Sequence, residues 1–547
     1  MTSHIPLQQI WPTEFVQKYT QAGYWEGQCF GDLLAQRAQD YADQLAVIGP
    51  QEQWSYAQLN QKASLVAAGL QQLGLKQGAR VLVQLPNIPE FISVVFGLFR
   101  AGMIPIYALP AHRITELAHF ADQAPADAYI GVDHFDGFDY VQQAQTLQSR
   151  CPQLQHVILV GEAGPFISLE QLMHQGQGIT VPDNVSRATD VAFLQISGGS
   201  TGLSKLIPRT HNDYIYTLRE SARICGVNAQ SRFLAALPIA HNFPMSSPGF
   251  LGTLYAGGCV VLSSTPEPEA CFALIEKHRV SFTSLVPPLL LMWLEYAPHS
   301  RYDISSLQTI QVGGAKLIPE VAKRVTPTLG VQLQQVFGMA EGLVNYTRLH
   351  DDAYLVTHTQ GRPISPDDEM RIVDDNDQPV APGQAGHLLT RGPYTIRAYH
   401  NNPSANARSF TADGFYRTGD IVQLTEQGYL IVQGRANDHI NRAGEKISAE
   451  EIEDHLLAHP AVFDAAVVSV PDDYLGERSC AFIIPKSDHA KPRALDIKRW
   501  IRQRGLADFK VPDQVIFVDK FDITAAGKIS RKQLRAQLSQ LLQNHHD

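Results

Sequence analysis

The sequence has no CxxC pair and no group of histidines and cysteines at zinc-ligand spacing, so neither a structural zinc site nor a dithiol redox centre is expected. Its six cysteines, Cys29, Cys151, Cys225, Cys259, Cys271 and Cys480, stand far apart. That usage fits a reduced, cytoplasmic setting. The start, Met1-Thr2-Ser3-His4-Ile5-Pro6, shows no basic segment followed by an apolar core, and no signal peptide is expected. Long apolar runs are missing as well. Phe91 to Phe99 and Leu285 to Leu294 are too short or too proline-interrupted to span a bilayer, so membrane insertion is not expected. Nor is there an excess of positive charge: 44 Lys and Arg against 54 Asp and Glu leave −10, which argues against general nucleic-acid binding.

What is present is a long, ordinary globular composition. At 547 residues with 44% hydrophobic content, the chain is too long for one core and should form two or more domains. From about residue 45, short β-branched runs alternate with helical patterns: Val81 to Gln84, a helix through Phe91 to Phe99, Ile104 to Ala108, then Val157 to Val160. This alternation predicts an α/β fold with buried parallel strands. Further strands are expected at Val260 to Leu262, Ser281 to Val286, Thr309 to Val312 and Leu333 to Val336. After residue 360, short strands separated by turns predict a small β subdomain. From Gly434-Arg435 the pattern changes again, to a helix Ala449 to Leu457, strands Ala465 to Val470 and Ala481 to Ile484, and a helix Leu495 to Arg504. Residues 1–435 are thus expected to form a large N-terminal domain and 436–547 a small α+β C-terminal domain. There are no internal repeats.

The segment Ser197-Gly198-Gly199-Ser200-Thr201-Gly202-Leu203-Ser204-Lys205 follows the apolar run Val191 to Ile196 and carries three glycines, four hydroxyls and a lysine. Glycines let backbone amides approach an anion, while hydroxyls and lysine add donors and charge, so the segment reads as a phosphate loop. It is not a Walker loop, because two residues separate Gly202 from Lys205. By itself it could equally be a surface turn.

Further motifs follow in order: Gln335-Val336-Phe337-Gly338-Met339-Ala340-Glu341-Gly342, Gly414-Phe415-Tyr416-Arg417-Thr418-Gly419-Asp420, Gly434-Arg435, Arg442-Ala443-Gly444-Glu445-Lys446, and Ala525-Ala526-Gly527-Lys528-Ile529. In this order and spacing the chain resembles, over nearly its whole length, the adenylate-forming superfamily of acyl-CoA synthetases, luciferases and nonribosomal peptide synthetase adenylation domains. The wording of Lys205 to Tyr214, His241 to Gly249 and Gly338 to Arg348 is most similar to the stand-alone 2,3-dihydroxybenzoate-AMP ligases of catechol siderophore assembly. Ser200, Ser204 and Ala398 depart from that subfamily's usual threonine, proline and glycine, and Ser200 keeps the hydroxyl.

The resemblance implies two half-reactions: a carboxylate attacks the α-phosphate of ATP with Mg²⁺, giving acyl-AMP and pyrophosphate, and a thiol then displaces AMP. It assigns Ser197, Gly198, Gly199, Ser200, Thr201, Gly202 and Lys205 to the β- and γ-phosphates, and Glu341 to Mg²⁺. Asp420 and Arg435 are implied at the ribose, since an ionised carboxylate offers acceptors to both hydroxyls. Gly313, Gly314 and Ala315 would flank adenine together with Val336, Phe337, Gly338 and Met339. Phe337 is either a stacking face or ordinary core packing. Lys528 would neutralise charge between the carboxylate and the α-phosphate. Gly444 and Lys446 are implied at the pantetheine arm after the C-terminal domain, expected to be mobile, rotates about a hinge near Asn437-Asp438.

The implied acyl pocket holds Asn242, Phe243, Ser247 and Val344. Amino-acid-activating relatives carry an aspartate where Asn242 stands, and a neutral amide there favours an aryl acid. The expected substrate is 2,3-dihydroxybenzoate ahead of salicylate, with an aryl-CoA ligase as the other enzymatic reading and a degenerate scaffold as the non-enzymatic one. His241 has two readings, a catalytic gate to the thiol tunnel or a satisfied histidine at the pocket edge. The expected thiol donor is a separate phosphopantetheinylated aryl carrier protein. Lys486 to Arg535 holds thirteen Lys and Arg against six Asp, and reads as a solvated face or as a docking face for an acidic carrier.

Overall fold

The computed structural model describes residues 11–543 apart from 183–184, 198–203, 443–444, 473–474, 488, 505, 507 and 525–528. Two large sheets organise the N-terminal part. The first, seven-stranded, has the order Leu206–Thr210, Val191–Ile196, Ile104–Tyr107, Arg80–Gln84, Ala128–Val132, His156–Val160, Ile167–Ser168. Its inner strands are parallel and Arg80–Gln84 is buried at every position, which is why its centre, Val81 to Val83, reads as an apolar run. The second, nine-stranded, runs Arg362–Pro363, Gly342–Tyr346, Gln332–Met339, Thr309–Gly313, Phe282–Leu285, Arg232–Ala235, Cys259–Leu262, Leu45–Ile48, Gln53–Ser55.

One apolar core joins the two sheets. Val81 and Phe193 from the first and Phe233 and Val260 from the second belong to the same buried cluster, with helix Pro89–Arg100 contributing Phe91, Ile92 and Val95. Burying one such side chain is worth about 1.5–3 kcal/mol, so this shared core holds the sheets in register with each other.

Pro208-Arg209-Thr210 stands between the Gly/Ser loop and helix His211–Ile224. The structure makes Leu206–Thr210 a strand antiparallel to Val191–Ile196, with Pro208 opposite Leu194. Proline is tolerated because this strand lies at the sheet edge. Helix His211–Ile224 then starts at a capping box, in which Asp213 N–H donates to Thr210 Oγ1 (3.2 Å) and Thr210 N–H to Asp213 Oδ2 (2.8 Å).

The expected β subdomain is an antiparallel four-stranded sheet, Glu369–Val373, Gly386–Arg391, Tyr416–Leu424, Leu430–Arg435. A short turn, Ala436–Asp438, leads into a five-stranded sheet that includes Val462–Asp472 and Gly476–Pro485 and carries its own apolar cores. Helix Ala449–Leu457 has the expected bounds, while helix Arg531–Gln543 was not anticipated. The C-terminal unit touches the rest through Lys316 Nζ to Asp454 Oδ2 (3.5 Å) and Arg504 to Glu320 (3.6 Å). Among the described residues no helix is long and apolar enough to cross a membrane, and all six cysteines are free.

Candidate active site

The Gly/Ser loop springs from the turn between the paired strands Val191–Ile196 and Leu206–Thr210. Its base is closed by Ser197 N–H donating to the Lys205 carbonyl (3.0 Å) and Lys205 N–H donating to Ser197 Oγ (2.8 Å). Gly198, Gly199, Ser200, Thr201 and Gly202 lie outside the described residues, as do Gly444 and Lys528. The Lys446 backbone belongs to strand Glu445–Ser448, and its side chain is outside them too.

Glu341 sits in the tight connection between strands Gln332–Met339 and Gly342–Tyr346 and is 8% exposed. Gly342 has φ +154° and a Cβ there would collide with the Thr395 backbone, so the connection that presents Glu341 requires glycine. The Glu341 carbonyl accepts from Ile396 N–H (2.7 Å), and Oε1 accepts from the Tyr399 hydroxyl (2.8 Å). The Lys205 ammonium donates to the same hydroxyl (3.3 Å) and lies 4.3 Å from the centre of the Tyr399 ring. Burial pulls the Lys205 ammonium below its ordinary pKa, and nearby Glu341 opposes that shift.

Asp420 and Arg435 face each other across adjacent strands, with Arg435 Nε 3.0 Å from Asp420 Oδ1. A second Arg435 donor reaches the Thr418 carbonyl (2.8 Å). The Asp420 charge raises the Arg435 pKa further. Gly313 ends its parallel strand, and a Cβ there would lie 2.7 Å from the Val336 carbonyl. Gly314 takes φ +81° and Ala315 is exposed. Strand Gln332–Met339 runs past its expected end to include Phe337, Gly338 and Met339. Phe337 is half-buried against the cluster of Leu343, Leu388 and Val422, and Gly338 is exposed. The carboxyl ends of parallel strands therefore converge here, where open α/β sheets place ligands.

Asn242 opens the short helix Asn242–Ser246, capped by His241, whose Nδ1 accepts from Phe243 N–H (3.2 Å). The Asn242 Oδ1 accepts from the buried Tyr214 hydroxyl (2.8 Å). Phe243 and Val344 share a buried cluster with Val336 and Tyr346, and Ser247 is 3% exposed. Arg209, on the edge strand that follows the Gly/Ser segment, reaches toward these residues and is 2% exposed. Its guanidinium pairs with Asp213 (2.8 Å), donates to the carbonyls of Ala340 (2.8 Å) and Tyr394 (3.1 Å), and lies 4.7 Å from the centre of the Tyr214 ring. A buried arginine so fully paired is a structural tie between the edge strand, the Glu341 connection and helix His211–Ile224.

No group of three or more His, Cys, Asp or Glu able to hold a metal occurs among the described residues. A single near-buried carboxylate such as Glu341 suits magnesium, which takes few protein ligands and completes its shell with phosphate oxygens and water.

The model for the AMP-binding enzyme family matches residues 34–400, and that for the AMP-binding enzyme C-terminal domain matches 451–528. This chain belongs to the AMP-binding enzyme family. Among AMP-binding enzymes, it is 55% identical to the 2,3-dihydroxybenzoate-AMP ligase of Bacillus subtilis, over 97% of this chain and 98% of that one. It is 48% identical to the vibriobactin-specific 2,3-dihydroxybenzoate-AMP ligase of Vibrio cholerae, with the same two coverages. The apo structure of Mycobacterium smegmatis MbtA superposes with a TM-score of 0.75 at 42% identity, covering 96% of this chain and 98% of that one.

Relative to this AMP-binding framework, sequence reasoning did not single out Tyr399, Tyr416, Tyr214 or Arg209. Tyr416, Tyr214 and Arg209 lay inside the motifs but carried no assigned role. Nothing local distinguishes Tyr399 from the other tyrosines among the chain's 19, because its partners at 205 and 341 are remote in sequence.

Proposed function

We propose that this chain uses ATP to convert 2,3-dihydroxybenzoate into its acyl-adenylate and then passes the acyl group to the phosphopantetheine thiol of a separate aryl carrier protein. In the first step the aryl carboxylate oxygen bonds to the α-phosphorus and the bond to the β-phosphate oxygen breaks, releasing pyrophosphate. In the second, the thiol sulfur bonds to the acyl carbon, AMP leaves, and the thiol proton is released.

The observation that carries the reading is the neutral side-chain amide of Asn242. Its Oδ1 is held by Tyr214, and no described residue accepts from its Nδ2, so the amide has donors for a ligand oxygen. An amino-acid ammonium there would be buried without a counter-charge, at a cost of several kcal/mol. Phe243 and Val344 supply apolar walls, and Ser247 supplies a hydroxyl for the second ring oxygen. The names of the two close ligase relatives agree with this chemistry.

At the nucleotide, Lys205 and the loop from Ser197 take the β- and γ-phosphates, Asp420 and Arg435 the ribose, and Phe337 with Gly313 to Ala315 the adenine. Glu341 would hold Mg²⁺, which when bound neutralises charge on the departing pyrophosphate. Lys528 serves the adenylation step, and Gly444 and Lys446 the thiolation step, with the two units divided near Arg435.

ATP–pyrophosphate exchange with a panel of 2,3-dihydroxybenzoate, salicylate, benzoate and amino acids tests the reading. Exchange is expected to be strongest with 2,3-dihydroxybenzoate. Exchange with benzoate or an amino acid but not with the dihydroxy acid would refute it.

A further inference from the structure

The Tyr399 hydroxyl is the meeting point of three elements that are far apart in sequence. It touches Lys205 at the base of the Gly/Ser loop (3.3 Å), Glu341 in the hairpin connection (2.8 Å) and Tyr416 on the third strand of the antiparallel sheet (3.0 Å). Tyr399 itself is 1% exposed and is further packed by Phe410. Its backbone is pinned by Asn406, which accepts from Tyr399 N–H (2.8 Å) and donates to the Tyr399 carbonyl (3.1 Å).

A donor inventory orders this cluster. A phenol has one proton, an ionised carboxylate has none and an ammonium can only donate. The Tyr399 proton therefore goes to Glu341 Oε1, and its lone pairs receive Lys205 and Tyr416. Tyr416 must be the donor in the tyrosine pair. The direction of every bond in the group is then determined, and each bond supports the next.

From this geometry we propose that Tyr399 is a positioning residue that presets Glu341 and Lys205 for a metal-bound polyphosphate. Its hydroxyl turns one carboxylate oxygen inward and leaves the other carboxylate oxygen to a cation. Its ring and hydroxyl together hold the Lys205 ammonium in the same constellation. Lys205 and Glu341 would otherwise attract each other directly, and an ion pair between them would neutralise the groups that the metal and the phosphates need. Tyr399 stands between the two charges and separates them while keeping both oriented. The role is that of an outer-shell partner that fixes a ligand's orientation, whose loss commonly costs 10- to 100-fold in metal affinity. This proposal rests on the reading of Glu341 as the metal-binding residue.

The test measures Mn²⁺ binding by electron paramagnetic resonance, in the presence of a non-hydrolysable ATP analogue, for the full chain and for Glu341→Gln, Tyr399→Phe and Tyr416→Phe. Glu341→Gln is expected to abolish the tight Mn²⁺ signal. Tyr399→Phe, which keeps the ring under Lys205, is expected to weaken Mn²⁺ about tenfold or more. Tyr416→Phe should weaken it about two- to threefold, and the affinity for 2,3-dihydroxybenzoate should be unchanged in both tyrosine variants. If Glu341→Gln binds Mn²⁺ as the parent does, the metal reading itself fails. If Glu341→Gln loses the ion while folded Tyr399→Phe keeps it, the positioning role is overturned. Should Tyr399→Phe not fold, parental Mn²⁺ affinity in Tyr416→Phe would overturn the proposal.

Discussion

Arg435 Nε lies 3.0 Å from Asp420 Oδ1, and the strand register sets these two residues opposite each other. The carboxylate is 8% exposed and the guanidinium 51%, so the arginine covers an acid that is otherwise withdrawn from solvent. The ion pair fixes the orientation of the acid. If it serves the ribose, Asp420→Asn should raise the KM for ATP about 10- to 100-fold, the range for losing hydrogen bonds to a charged group. The Kd for the aryl acid should not move. Pyrophosphate-exchange kinetics and calorimetric titration of the acid check the two halves of that expectation.

Lys528→Ala should reduce adenylation by about 10²–10³-fold, the scale of removing one charge-stabilising donor from a transition state. Thioester formation from supplied acyl-adenylate should remain largely intact. Equal loss of both half-reactions would remove the assigned role.

Asn242→Asp places a carboxylate against Tyr214 and, on the proposed reading, beside an anionic substrate. Exchange driven by 2,3-dihydroxybenzoate should fall about 100-fold, in line with a buried uncompensated charge. Unaltered exchange in the aspartate variant would show that Asn242 does not face the ligand.

Arg499 and Arg502 project from helix Ala494–Gln503, 59% and 55% exposed, and pair loosely with Asp496 (3.5 Å) and Asp508 (3.6 Å). Exposed pairs of this kind add little stability. Reversing both charges to glutamate should therefore spare folding and pyrophosphate exchange while raising the apparent KM for the carrier protein severalfold, with a reduced salt dependence. Carrier kinetics identical to the parent's would leave this face merely solvated.

Asp464 is 7% exposed, and among the described residues its side chain accepts from the Ala465 N–H alone (2.8 Å). Burial pushes its carboxyl up from 3.8 to about 7, against the opposing pull of that N–H. The folded chain thus holds this proton more tightly than the unfolded one, and the associated stability is full below about pH 4 and lost as pH rises to about 7. Asp464→Asn has no such proton. Its melting temperature relative to the parent should climb between pH 4 and pH 7, by an amount equivalent to about 4 kcal/mol at most. A pH-independent difference in thermal scans would contradict this.

Much of the fold was legible in the chain because it depends on short-range pattern. Runs such as Val81 to Val83, inside strand Arg80–Gln84, are buried on both faces and so are continuously apolar, and helix Ala449–Leu457 is bounded by its own cap at Ser448. Strand Leu206–Thr210 was not legible, since Pro208 argues against a strand until the sheet order makes it an edge. The Gly/Ser loop, Glu341, Asp420 and Arg435 were found through ordered motifs, each of which is a local string.

The sequence by itself determined the family, the α/β class and the residue types available for phosphate, metal and ribose, because motif order and periodicity need no folding to be read. Only the tertiary structure decided how those residues meet. Lys205 and Glu341 are separated by more than a hundred residues, and each contacts one buried hydroxyl, that of Tyr399. Arg209 joins the loop's edge strand to the Glu341 connection and helix His211–Ile224 in the same way. Such contacts arise because the shared core holds two sheets face to face, and no pattern along the chain encodes a hydrogen bond between strangers in sequence.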